Sequence, residues 1–516
     1  MAYTPGSAYS LPYRLMRRYG WQPLIDADFT LGIVKDMPPS SIPPGGCFES
    51  TDWILDEVGV AKKRGGTAYQ SNALGATTTG VSLVSCPEFP TGAKVIGLGA
   101  DGNLYDATSG STSSAGALGL TPIENPRLYV DKMMMCASDG TTAPKKVTAP
   151  AGTLTIAAWG GTPPTAKFST VHISRVVVGN TTANPNRVWF SPIPDPTTTW
   201  DTANAYIDTN HNLTALASVQ GVLVCFSQNH LERITGNIPP GLNETNDNMQ
   251  VQSLGNVGCV DARSVVAWGG YLIFAAQDGI WITNGASVES LTEEPKGYGI
   301  KSYWRTLYRT AITNGATISA GIYNRDYYHM SLVYGTTLID HLVCYLPRKT
   351  WWRNTNPNMH GLSFATQASG QDELYMGLGS GSDGNRIVKL SGLYNPSGSN
   401  TTDADGTAVL PSLTTRNMGT GVGLTSFGHG HLHYLMTGGT PTMKVEVGTG
   451  LAAASFSQPS ESPLPAQAAA ARKRFNVSKD SQGVSVRLTQ LAASSQTEVY
   501  GVELEQRGYA LSSEIP

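Results

Sequence analysis

The sequence predicts an all-β fold: a β-propeller of about seven blades, preceded by an extended N-terminal strap and followed by a C-terminal β-sandwich domain. Three observations predict it. Residues 264–291 read as four short apolar, aromatic and β-branched runs divided by Gly269-Gly270, Gln277-Asp278-Gly279 and Asn284-Gly285. Such turn residues supply the positive-φ positions of tight hairpins, so the stretch is an antiparallel meander. A lone meander leaves both faces in water, whereas several packed around an axis bury them. Similar groups recur at intervals of roughly 33 to 53 residues, near the spacing of propeller repeats. Composition agrees, because 57 Gly, 31 Pro and only 14% charged residues suit many short strands and turns.

In chain order, residues 1–66 are an arm and strap. The first 25 residues contain Tyr, Pro and a basic cluster (Arg14, Arg17, Arg18) too small to mark a nucleic-acid site. The run Met37-Pro38-Pro39-Ser40-Ser41-Ile42-Pro43-Pro44 forces extended backbone, so the segment through Lys62-Lys63-Arg64 reads as a strap laid over something else.

Residues 67–392 are the propeller. Lys94–Leu98 and Asn103–Ala107 flank one turn, and Arg127–Val130, Lys132–Ala137 and Lys145–Thr148 form a second group. Phe168–Ile173, Arg175–Gly179 and Arg187–Ser191 form a third; Thr214–Ser218, Val222–Phe226 and His230–Thr235 a fourth. The 264–291 meander is the fifth, Ala316–Arg353 holds the sixth, and Leu362–Leu390 the seventh. Glu293–Arg309 breaks the rhythm and predicts a short helix between blades.

Residues 393–408 turn to Gly, Ser, Asn, Thr and Asp, the composition of a linker. Beyond it, residues 409–516 carry strand patterns at Gly430–Met436, Thr442–Val447, Arg474–Val477, Val484–Leu488 and Glu498–Glu505 without blade spacing. A helical turn is expected at Ala466–Ala471. This is the size of a small β-sandwich. A chain ending near Gly392 is therefore expected to stay folded, the alternative being that the C-terminal domain completes the propeller, since propellers often close with a strand borrowed from the other terminus.

A net charge of -3 offers no bulk field for wrapping nucleic acid or lying on an anionic membrane. No apolar run is long enough to cross a bilayer, and the N-terminus lacks signal-peptide regions, so folding in a cytoplasm is expected. The six cysteines (Cys47, Cys86, Cys136, Cys225, Cys259, Cys344) are scattered, which reads as free structural thiols rather than disulfides or a metal site.

No residue is assigned a catalytic, cofactor-binding or metal-binding role. His429, His431 and His433 alternate, so a strand would put three imidazoles on one face, from which a pair can ligate a transition metal. With no carboxylate or cysteine near them in sequence, they read as a solvated polar face. Asp195-Pro196-Thr197-Thr198-Thr199-Trp200 superficially resembles the Asp-box turn of propeller glycosidases but lacks its Gly and does not recur. Gly97-Leu98-Gly99-Ala100-Asp101-Gly102 has no helix pattern after it and is not a nucleotide loop. Trp351-Trp352, beside Arg348, Lys349 and Arg353, either stack on a ligand or cover a blade end, and aromatic packing between strands favours the second.

Four stretches in order resemble a known family. They are Asp28-Phe29-Thr30-Leu31-Gly32 through Pro38-Pro39-Ser40-Ser41-Ile42-Pro43-Pro44-Gly45 to Lys63-Arg64-Gly65; Asn186–Ser191 through Pro194-Asp195-Pro196 to Trp200; Val257–Val260 through Leu272-Ile273-Phe274 to Gln277–Ile280; and Arg474–Val477 through Val484–Arg487 to Glu498–Glu505. Together they make the chain resemble the tail hub, or nozzle, proteins of short-tailed bacteriophages, the packaged-DNA stabilisation family. Thr30-Leu31-Gly32 departs from the paired glycines common in that strap. The resemblance implies a structural virion protein, not an enzyme and without cofactors. It implies a ring, with six copies expected, below the portal and adaptor, contacting other tail proteins. Viral DNA would pass through the lumen without sequence-specific binding, and the protein would not insert into a membrane. The competing expectation is a β-propeller tail protein that binds or cleaves glycans on the host surface, and such an enzyme needs paired carboxylates.

Overall fold

The computed structural model describes residues 22–508 apart from 58, 76–79, 238, 240–247, 294–296, 336, 355–360, 367–372, 379–384, 395–401, 420–424, 438–441, 451–454, 493 and 495. Seven four-stranded antiparallel meanders follow one another. Blade one is Val81–Ser85, Ile96–Gly99, Asn103–Asp106 and Ser113–Ala117; blade two is Leu128–Tyr129, Lys132–Met135, Lys145–Thr148 and Thr155–Ala158. Blade three runs from Phe168–His172 to Tyr206–Asp208, blade four from Leu213–Val219 to Gln250–Gly255, and blade five from Val266–Trp268 to Val288–Ser290. Blade six is Thr317–Tyr323, Tyr327–Tyr334, Thr337–Tyr345 and Thr350–Asn354. Blade seven takes three strands, Gly361–Thr366, Leu374–Leu378 and Ile387–Lys389, from its own stretch and its fourth, Ala68–Tyr69, from the other end of the chain.

That borrowed strand closes the ring. The inner strand of blade seven packs against that of blade one, and Val81, Val84 and Tyr105 share a core with Tyr375 and Ile387. Each gap between blades is filled in the same way: Leu83, Ile96 and Leu104 meet Met133, Met135 and Val147, and Met134 and Cys136 meet Val176, Val178 and Trp189. The middle strands are therefore buried on both faces, and Arg175–Gly179 and Leu374–Leu378 are buried at every position. The outermost strands lie in water, as at Thr155–Ala158 and Gln250–Gly255.

The strap is not laid over the other domains but built into them. Gln22–Asp26, Trp53–Glu57 and Val60–Lys63 lie in one sheet with the C-terminal strands Thr425–Thr437, Gln467–Ser481 and Gln496–Gly508. The second C-terminal sheet continues into the propeller. Blade six passes through its outer strand to Gly32–Ile33 and Gly46–Thr51, then to Ser412–Thr415, Val484–Gln490 and Thr442–Thr449, giving eleven strands in all. Gly32 sits in this seam at φ +66°, and a Cβ there would lie 2.5 Å from the Trp351 carbonyl oxygen, so only glycine fits. The sandwich expected at 409–516 thus includes strap strands, because its sheets take their edges from the N-terminal segment.

Two local expectations change. Ala466–Ala471 is not a helical turn: it enters the long strand Gln467–Ser481, where pairing with Thr425–Thr437 overrides alanine's helix preference. The helix expected at 293–309 forms at Lys301–Asn314. The strap sets its start, because the Asp36 carboxylate accepts from the Lys301 and Ser302 amides at 2.9 and 2.6 Å. Trp304, Leu307 and Ala311 form its buried face, and Gly315 ends it in the left-handed conformation. No helix among the described residues is long and apolar enough to cross a membrane.

Candidate functional site: the axial funnel and the propeller–sandwich seam

Where a propeller's inner strands meet, the axis commonly holds the binding site. Here one mouth opens into a funnel of about 650 Å³, walled by Val84–Glu88, Val265–Gly269, Ala320–Ile322 and Phe364–Thr366. Its floor is the connector between blades one and two, which crosses the axis. Asn125 donates to the Phe364 carbonyl at 3.2 Å, Arg263 donates to the Pro122 carbonyl at 3.4 Å, and Glu124 takes two bonds from Ser169 at 2.6 and 2.7 Å. Blades seven, five and three therefore all hold this plug. Glu124 and Arg127 border a space of only about 20 Å³ beneath it, and Ile123 and Arg263 line a separate cavity of about 330 Å³.

Burial pushes the Glu124 carboxyl up to about 8, against the Ser169 hydrogen bonds and the Arg127 charge, which pull it down. Glu88 lines the funnel and Glu124 the space below, so these two carboxylates do not face one cavity. Among the described residues no group of three His, Cys, Asp or Glu side chains could hold a metal ion.

The second focus is the seam joining strap, propeller and C-terminal domain. Arg64 is buried and donates from Nε to Asp52 at 2.6 Å, while its two terminal nitrogens grip Asp403 at 2.8 and 2.9 Å. Asp403 also accepts from the Thr67 amide at 3.0 Å. The expected linker at 393–408 thus carries one arm of a buried ion cluster, and neighbouring Lys63 is buried with its ammonium on the Ser494 carbonyl at 2.7 Å.

The histidines do alternate along one strand, Thr425–Thr437. The structure adds a carboxylate invisible in the local sequence: Glu503 pairs in register with His431, lies 3.5 Å from His433 and accepts from Arg472 at 3.1 Å. Burial, with the neighbouring Arg472 charge, lowers His431 to about 4, so it stays neutral at pH 7. His431 is 8% exposed, so the row is largely covered rather than a solvated face.

The remaining motifs are structural. The Asp195 carboxylate closes its own turn on the Thr197 amide and hydroxyl, and Trp159 and Trp200 both donate to the Pro196 carbonyl at 2.9 and 2.8 Å. Asp101 ties its hairpin to Asn103 and Tyr105, and Gly97 packs where a Cβ would meet Leu74 and Ile387. Trp351 and Trp352 are buried and cover the blade. Arg353 pairs with Asp340 at 2.9 Å, Lys349 with Glu289, and Arg348 bonds the Asp56 carbonyl. All six cysteines are free, five of them buried.

No protein-family model matches the chain, and no curated protein matches it. Solved structures similar to it include the computationally designed Ika8 protein, at 12% identity over 61% of this chain and 98% of that one, with a TM-score of 0.37. BamB from Moraxella catarrhalis is similar at 11% identity, covering 66% of this chain and 89% of that one, TM-score 0.34. BBS1N in complex with ARL6DN is similar at 10% identity, covering 63% and 97%, TM-score 0.38.

Proposed function

We propose that the chain is a structural subunit of the tail hub, or nozzle, of a short-tailed bacteriophage. It would assemble as a ring, with six copies expected, that walls the DNA path below portal and adaptor, holds the packaged genome and releases it on ejection. The reading originates in the ordered resemblance of strap, blades and tail. The structural observation that carries it is the seam. One eleven-stranded sheet runs from blade six through the strap into the C-terminal domain, while the buried Arg64 cluster ties the strap to the 393–408 segment and Lys63 beside it reaches the Ser494 carbonyl of the C-terminal domain. A wall around DNA under internal pressure needs subunits that do not hinge. The plugged axis fits as well, because the passage then has to lie between subunits.

A glycan-cleaving propeller would need two carboxylates facing one cavity. Reconstruction of virions that carry this chain tests the proposal. Subunits ringed about the tail axis are the expected result. A subunit at a fibre tip, or one with a sugar held in the axial funnel, overturns it.

A further inference from the structure

The turns between first and second strands differ from blade to blade in one informative respect. Such two-residue turns need positive φ, which Gly and Asn tolerate and β-branched residues resist. Blades four, five and six place no β-branched residue there, using Gln220-Gly221, Gly269-Gly270 and Asn324-Arg325. Blades two and three instead place Val130 at φ 56° and Ile173 at φ 44°. Both side chains also face water, Val130 72% and Ile173 41% exposed, and Ile193 beside them is 50% exposed. Tyr129 gathers the three: its hydroxyl lies 3.1 Å from the carbonyls of both Ser174 and Pro194. Backbone strain and exposed apolar surface are each unfavourable in a free subunit, and here they coincide in one patch. The charges at its rim are Asp131 and Asp195 with Lys132 between them, 3.5 and 3.7 Å away, so the rim is net acidic.

The chain carries a counterpart. Helix Lys301–Asn314 contains no acidic residue, and Arg305, Arg309 and Ile312 fall on one exposed face, with Ile312 60% exposed. It joins the fourth strand of blade five to the first of blade six, whereas the patch sits at first-to-second-strand turns. In a meander those connections lie at opposite ends, so helix and patch occupy opposite faces of the propeller. A basic apolar face on one side and an acidic apolar patch on the other make a head-to-tail contact, which closes into a ring where the rotation between successive copies closes and runs on as a filament where it does not.

We propose that the Val130, Ile173 and Ile193 patch receives the Arg305, Arg309 and Ile312 helix face of a second copy of this chain. The inference rests on the ring reading only for closure; the contact itself is a property of the isolated protein. The test is sedimentation and light scattering of the full chain up to about 100 µM, where a micromolar contact is populated. Wild type is expected to associate. Val130→Asn with Ile173→Asn is expected to weaken association at least tenfold while leaving the monomer's melting temperature unchanged or higher, since Asn relieves the turn strain. Asp131→Arg is expected to weaken association likewise, and adding Arg309→Glu to restore it. A monomeric wild type, association unaffected by the Asn pair, or failure of the charge exchange to restore it overturns the contact. If the contact fails while virions carry the chain at the tail axis, the nozzle reading stands without it; if the contact holds and virions lack the chain, that reading falls alone.

Discussion

At the scale of single residues, Arg64 and Glu124 are buried charges with opposite logic. Arg64 is satisfied by two carboxylates drawn from parts of the chain far apart in sequence. Removing one partner strands charge in a dry site, which costs about 3–5 kcal/mol in buried pairs. Asp403→Ala is accordingly expected to lower the unfolding free energy by about 3 kcal/mol, read as a shift in urea midpoint. A change below about 1 kcal/mol would mean the site is wet and the pair screened. Glu124 has no full counter-ion and holds a proton instead, at about 8 against an ordinary 4.5. Between those values the folded state binds the extra proton, so its contribution to stability is full below pH 4.5 and is lost as pH rises toward 8. Glu124→Gln keeps an oxygen for Ser169 and cannot ionise. Relative to it, wild type is expected to lose about 1 kcal/mol per pH unit across pH 5–8 in denaturation series, and a flat difference would show an ionised Glu124 throughout.

At the scale of elements, the sequence showed the middle strands and hid most outer ones, and it also hid the buried inner strand Val81–Ser85 of blade one. The middle strands of every blade stood out because packing on both faces demands unbroken apolar runs such as Val176-Val177-Val178 and Leu272-Ile273-Phe274. Outer strands such as Ser113–Ala117 and Thr155–Ala158 bury little and left no pattern to read. The closing strand Ala68–Tyr69 is two residues long, and its partner Ile387–Lys389 lies at the far end of the propeller, so nothing local announces it. The same applies to Glu503 beside the histidines and Asp403 on Arg64, whose roles exist only in the folded register. These pairings reverse the expectation for a chain ending near Gly392. Its strap strands Gly46–Thr51 and Val60–Lys63 would lose Ser412–Thr415 and Gln496–Gly508, and Arg64 would lose Asp403. Such a truncation is now expected to aggregate or to melt at a lower temperature than the full chain in calorimetry. A soluble product with an unchanged propeller transition would show that the seam adds nothing.

At the scale of the whole molecule, the proposed conduit role raises the question of what the protein's charge would do to DNA running past it. The net charge is -3, and many cations among the described residues already have partners. Lys62 holds Glu57, Lys94 holds Asp106, Arg187 grips Asp208, Lys301 holds Glu293, and Lys349 holds Glu289. Arg353 and Arg64 are engaged with buried carboxylates, and Arg472 with Glu503. Each phosphate neutralised by a free Lys or Arg adds close to one unit to the slope of log affinity against log salt, and a protein making about six to ten such contacts loses roughly 10³- to 10⁵-fold in affinity between 50 and 200 mM salt. A cation held by a carboxylate has less to offer a phosphate, so under the proposed conduit role a passage lined by such pairs would let the genome slide past during ejection. Fluorescence anisotropy with a labelled duplex, from about 50 to 200 mM salt, is expected to give affinity no tighter than the micromolar range and a slope below about 3. Tight binding with a steep slope would mean that the proposed ring would grip the phosphate backbone, making retention an electrostatic brake rather than passive confinement.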